Sequence, residues 1–358
     1  MSPKRPIGTF LLITGLVIMA GCSRLGYYAH CTQGHLALLA GRTPIAKLLS
    51  DPATPEELVT QLQEISRIRD FASTELKLPV NGSYRSYSDL NRPFATWNVV
   101  AAKEFDLQPL HWCFPVAGCL PYQGFFDRQR AETFAAELKK QGYDTYLYGV
   151  AAYSTLGWFD DPVLRTFLNG SPVDWAGIIF HELAHQQLFL PNDPEFSEGF
   201  ATAVEQLGVN QWLDHNASPG AIAAYHQRIQ GEVDFIQLLV NLRQQLADLY
   251  RQPLCPDCMR QGKAELLASF IADYDQWKRE AGGDGGYDEW VSDQLNNAKL
   301  ASVNTYHQTV ASFLALFVQQ GNNFAQFYQA AREISKLPEN ERIARLQFLE
   351  QTAHNPLP

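Results

Sequence analysis

The chain has 358 residues, 46% of them hydrophobic and 12% aromatic, which supplies a core for one large domain or two intimate lobes and excludes a disordered chain. Its formal net charge is −10, and two units more negative once a leader carrying Lys4 and Arg5 is removed. So acidic a surface repels phosphates, and nucleic acid is excluded as a partner.

Residues 1–22 read as an address rather than as fold: a basic start (Lys4, Arg5), an apolar run from about Phe10 to Ala20, then Gly21-Cys22. The run is broken by Thr14 and Gly15 and is shorter than the roughly 20 residues that span a bilayer. Met19-Ala20-Gly21-Cys22 resembles the bacterial lipobox, with Met19 where leucine is usual. The resemblance implies a lipoprotein signal peptide over 1–21 and acylation of Cys22 as the mature N-terminus. With the non-acidic Ser23 after it, it also implies an outer membrane lipoprotein held to the membrane by its lipid and facing the periplasm.

An N-terminal helical segment is expected over 22–92, with one helix at about Gly34–Ser50. A second helix starts at Thr54-Pro55-Glu56-Glu57, which offers an N-cap threonine, a first-turn proline and a capping-box glutamate. Strands are predicted around Trp97–Val100, Trp112–Val116 and Thr145–Tyr153, with a helix at about Asp127–Gln141 between the last two. From Pro172 nearly everything reads as helix, broken at Pro191–Pro194, Gln252–Cys258 and Gly282–Gly286. Strands and helices are segregated, which predicts an α+β, mostly helical fold. Its parts are a small mixed sheet at about 93–157, active-site helices at about 172–208 and a helical half over 209–358.

Setting aside a lipidated Cys22 leaves five cysteines, an odd number. Cys113 with Cys119, and Cys255 with Cys258, are spaced for local disulfides, and Cys31 is the spare thiol.

Ser171-Pro172-Val173-Asp174 starts an apolar helix that Pro191 stops. On it stands His181-Glu182-Leu183-Ala184-His185, whose spacing puts both imidazoles on one face, close enough to share one Zn²⁺, with Glu182 placed to take a proton from an attacking water. A catalytic zinc needs a third protein ligand. Glu198 and Glu205 lie seven residues apart on the next helix, so they share a face; one can ligate while the other supports a histidine from behind. The metzincin pattern fails, because Leu188 and Pro191 stand where it needs glycine and histidine.

HELAHQ followed by SEGFATAVE resembles the gluzincin peptidases, the thermolysin and alanyl/leucyl aminopeptidase group. That resemblance implies a thermolysin-like catalytic domain over 93–358, one zinc ion per chain, a peptide substrate, and Glu198 as the third ligand through its match to the glutamate of NEGFA. Glu198 follows His185 more closely than in the well-known branches, and Glu205 stands at the thermolysin distance, so both remain in play. The strand at Thr145–Thr155 takes the place where gluzincins keep a substrate-binding edge strand. It reads Gly149-Val150-Ala151-Ala152-Tyr153 and lacks the amine-binding glutamate of the aminopeptidase branch, which leaves Asp160, Asp161 or Glu205 to supply that charge. For the oxyanion donor the resemblance points to Tyr306, ahead of Tyr225 and His226. Most of the mature chain, including Cys113–Cys119, Tyr153–Pro162 and Asn296–Tyr306, is also similar to a family of predicted bacterial aminopeptidases, many of them lipoproteins.

Overall fold

A computed structural model describes residues 25–114, 118–281, 286–292, 295–303 and 307–354; Cys22 with its leader, and Tyr306, lie outside them. The chain begins with helix α1 (25–40), then β1 (Thr43–Pro44), α2 (Ile45–Ser50), α3 (Glu56–Thr74), β2 (Ser86–Ser88), β3 (Thr96–Lys103), β4 (Trp112–Phe114), β5 (Gly118–Leu120), β6 (Gln123–Phe125), α4 (Arg128–Lys140), β7 (Tyr143–Val150) and β8 (Val163–Leu164). The remainder is helical: α5 (Pro172–Gln187), α6 (Pro194–Asn216), α7 (Pro219–Tyr250), α8 (Pro256–Ala281), α9 (Asp288–Ser292), α10 (Asn297–Ser302), α11 (His307–Gln319), α12 (Phe324–Ser335) and α13 (Glu339–His354). This is the mostly helical α+β class.

Three local readings need correction. The expected single helix over Gly34–Ser50 is two, because Pro44 has no N–H to continue a helix and Thr43–Pro44 pairs with Ser86 and Tyr87 instead. Helix α3 starts one residue late, with Pro55 in the cap position and no side-chain cap, so the Thr54 capping box is not made. The single mixed sheet is three small ones. The strands at about 93–157 form an antiparallel sheet in the order β6-β3-β7 and a β4-β5 hairpin, and only the two- and three-residue pieces β1-β2-β8 make a mixed sheet.

Strand β3 is buried on both faces. Trp97, Val99 and Ala101 pack with Ala131, Ala135 and Leu138 of α4, whereas Val100 and Ala102 face Ala298 of α10. That accounts for a strand with a nearly continuous apolar sequence rather than an alternating one. Strand β7 pairs with β3 on one side and with no other strand among the described residues. The main core runs from Leu38 to Leu349 and includes Ile179, Phe180 and Leu183 of α5 and Phe196, Phe200 and Val204 of α6. The two site helices are thus clamped by the rest of the molecule. Cys113 is bonded to Cys119, directly across the β4-β5 hairpin, and Cys255 to Cys258 at the start of α8. Cys31 is free and half-buried. No helix among the described residues is long and apolar enough to cross a membrane.

His35 on α1 should make the N-terminal packing acid-sensitive. Its ring lies against Phe159 (centroids 4.9 Å apart) and Tyr153 (5.8 Å), and neither nitrogen has a hydrogen-bond partner among the described residues. Burial, with Arg42 nearby, lowers its pKa below the ordinary 6.5. Protons therefore bind the unfolded chain better: the contribution is full above that value and is lost as the pH falls through it toward the depressed folded value. His35→Phe should flatten the fall of melting temperature between pH 7 and 5; an unchanged slope would assign the acid sensitivity to other groups.

Candidate metal centre

Helix α5 is held at its start by a reciprocal capping box, the Ser171 hydroxyl meeting the Asp174 N–H and the Asp174 carboxylate accepting from the Ser171 N–H at 2.8 Å, with Pro172 in the first turn. Helix α6 is entered through Asp193, whose carboxylate accepts from the Phe196 N–H at 3.0 Å. Ser197 ties the connecting turn down through Leu190. Gly199 and Gly208 let α6 come in close: a Cβ on Gly199 would meet Thr309 at 2.7 Å, and one on Gly208 would meet Leu76 and Phe180. Ser197, Gly199, Phe200 and Ala201 are buried, and Glu198 between them is turned toward α5 with a third of its side chain open to solvent.

The result is a convergence of donors. His181 Nε2 lies 3.1 Å from His185 Nε2, Glu198 Oε2 lies 3.4 Å from His181 Nε2, and Glu198 Oε1 lies 3.6 Å from His185 Nε2. A first-row metal ion bound tetrahedrally at about 2.1 Å would set neighbouring donors about 3.4 Å apart. Two imidazole nitrogens facing each other and one carboxylate could therefore hold a metal ion between them. Three protein donors leave a fourth position for water or substrate.

Glu205 stands behind this group. Its carboxylate accepts from His181 Nδ1 at 3.0 Å, which leaves Nε2 as the nitrogen turned toward the cluster. Glu205 reaches His181 over Gly177, where a Cβ would come within 3.0 Å of its oxygen. The two acids that share a face in sequence thus meet different nitrogens of one imidazole.

Charge is strongly coupled here. Burial opposes protonation of His181, but its hydrogen bonds to Glu198 and Glu205 outweigh burial and hold its pKa well above the ordinary range. Burial, followed by the neighbouring His181 charge, pushes His185 down to about 4. Burial raises Glu182, against the pull of His181, while in Glu198 the bond to His181 overrides burial and lowers the pKa. The Glu182 charge is also felt by the buried Tyr84, whose pKa burial already raises.

Of the other residues singled out from sequence, Asp161 is fully buried and Asp160 accepts from the Gly82 N–H at 3.0 Å. His226 is paired with Asn210 at 2.7 Å, and Tyr225 is buried near Glu205. Sequence reasoning passed over Tyr148 on β7, whose hydroxyl takes a long 3.4 Å contact from Asn98 Nδ2 and feels the charge of Glu198. It also passed over Ser154 and Tyr84. Alternation along Tyr146-Leu147-Tyr148 was the available signal, since it puts both tyrosines on one face of the strand.

A pair of helices presenting two imidazoles and a carboxylate around one point defines this α+β protein as a candidate metalloprotein, with the Glu182 carboxylate next to the first of those imidazoles in sequence. The sequence model of the family described as “Putative aminopeptidase” matches residues 26–346, nearly the whole chain, and the protein belongs to that family. Neither a curated protein nor a solved structure matches it.

Proposed function

We propose that the protein is a zinc-dependent aminopeptidase of the gluzincin kind, with His181, His185 and Glu198 as metal ligands and Glu182 as general base. The observation that carries this reading is the convergence of those three side chains with donor spacings suited to a tetrahedral ion. Membership of the aminopeptidase family supports it. Zinc suits a set of two imidazoles, one carboxylate and one open position, and when bound it supplies Lewis-acid polarisation of a carbonyl and acidifies water.

The chain's own residues do the rest. Glu182 accepts the proton of the attacking water and passes it to the leaving amine. Glu205 holds His181 in the tautomer and orientation that ligation requires. The edge of β7 that pairs with no described strand is suited to pairing with an extended peptide backbone beyond Thr145, whose carbonyl accepts from Asn296 Nδ2 at 3.2 Å. The oxyanion needs a hydroxyl donor; Tyr148 beside Glu198 joins Tyr306 as a candidate for that role.

The test is direct. Purified protein should carry about one zinc per chain and release the first residue of an unblocked peptide, and N-acetylation of the same peptide should stop it. Cleavage of blocked peptides at internal bonds would make it an endopeptidase, and binding without cleavage at full zinc occupancy would make it a peptide-binding factor. We further propose that lipidated Cys22 anchors the protein to the outer membrane with its site in the periplasm. Cys22→Ala should move it from the membrane to the soluble fraction, and retention in the membrane would overturn the anchor.

A further inference from the structure

Helix α1 contains no Asp, Glu, Lys or Arg, and the protein holds it by one side. On that inner side the Tyr27 hydroxyl donates to the Gly124 carbonyl at 2.9 Å, and His30 Nε2 accepts from the Phe126 N–H at 3.1 Å. Gly34 lies so close to the Phe126 ring that a Cβ there would meet it at 2.2 Å, and Leu38 is buried. At about 100° per residue, Leu25, Tyr28, Ala29, Thr32 and Leu36 fall on the opposite side within about 100° of arc, and all five are exposed. The outer face of a helix that meets water is ordinarily charged or polar. Here Leu25 is 75% exposed and Leu36 58%.

Two more aromatics join this face. Arg42 Nη1, just past the end of α1, donates to the Asp160 carbonyl at 2.8 Å, and the Phe159 ring lies 4.9 Å from that of His35. The loop is thereby set beside the Leu36 end of the helix with Trp158 70% and Phe159 50% exposed, while the neighbouring Asp160 carboxylate is turned back onto the Gly82 N–H. Two observations choose what covers the face. Only Ser23 and Arg24 separate Leu25 from Cys22, so a lipid on Cys22 would keep the start of α1 within about 10 Å of the acyl chains. The charge has the matching sign as well. No acidic residue precedes Asp51, and Arg24, Arg42 and Lys47 lie between Cys22 and it, in a chain whose net charge is −10. Anionic headgroups favour that segment over the rest of the protein, and tryptophan and tyrosine suit headgroup depth.

We infer that the outer face of α1, together with Trp158 and Phe159, lies on the phospholipid surface, so that a helix face as well as a lipid holds the protein to the membrane. This rests on the lipid-anchor reading and goes beyond it. Gly157 of the docked loop packs on Gln186, the residue after His185, so docking also fixes how the metal site is turned relative to the bilayer. The test places acylated mature protein on vesicles of phosphatidylethanolamine and phosphatidylglycerol that carry bromine high on their acyl chains. Tryptophan fluorescence should be quenched relative to unbrominated vesicles, and Trp158→Phe should remove most of that quenching. Leu25→Asp combined with Leu36→Asp should shift the docking equilibrium by about tenfold or more and abolish the quenching, although the lipid still carries the protein down with the vesicles. Both side chains are open to solvent, so the melting temperature should not move. No quenching of the acylated wild type, quenching that survives the paired substitution, or concentration-dependent dimers that the pair disperses would overturn the inference alone. Mature protein without acyl groups on Cys22 would overturn the anchor reading instead.

Discussion

Glu182→Gln should leave the metal in place and remove the activity. The carboxylate is not among the converging donors, and glutamine has nearly its volume, so zinc content should stay at about one per chain and KM should change little. Turnover should fall by roughly 10²–10⁴-fold, the usual worth of a general base, because an amide cannot accept the proton of the attacking water. A second consequence separates this from a generally damaged protein. Burial raises the Glu182 pKa, and Glu198 and Asp161 add repulsion, so at neutral pH the ionised carboxylate costs the metal-free fold stability that a neutral amide does not. The metal-free variant should therefore melt higher than metal-free wild type, as expected where function is held against stability. Undiminished hydrolysis would remove Glu182 from the mechanism, and loss of zinc would make it structural.

What could be read from the sequence is what depends on neighbours along the chain. The Ser171-Pro172-Asp174 start of α5, the Asp193-Pro194 start of α6 and the four-residue spacing of His181 and His185 are local, and local rules describe them. The division of labour between Glu198 and Glu205 is not local. Seven residues put both on one helix face, and only the approach of α6 to α5 over Gly177 and Gly208 brings one to Nε2 and the other to Nδ1 of His181. The short pairings β1-β2-β8 have too few residues to show a period of two, and they exist because distant loops meet. In the sequence Ser154 lies only within the similar stretch 153–162, and Asp161 is one of three acids left to supply the amine-binding charge, a role its complete burial does not suit. The left-handed turn at Leu156 and Gly157 and the burial of the Asp161 carboxylate have no spacing signature.

The division between the two acids leads to the second large effect. Glu198→Gln replaces the charged donor that faces both Nε2 atoms with a neutral, weaker one, and the protein should no longer retain zinc against a competing chelator. Glu205→Gln should keep zinc with an affinity about 10–100-fold weaker, because only the support behind His181 changes. The same pair sets the pH dependence. Both acids overcome burial and keep His181 protonated well above its ordinary range in the metal-free protein, so a cation must expel that proton and wild-type affinity should fall as the pH falls. Removing the Glu205 charge lowers the His181 pKa, which shifts the fall to lower pH even as the plateau affinity drops, whereas a ligand variant loses the plateau altogether. Chelator competition across pH 6–8 distinguishes them. If Glu205→Gln strips the metal and Glu198→Gln holds it, the two roles are exchanged and the thermolysin-like spacing, rather than the SEGFA motif, marks the third ligand.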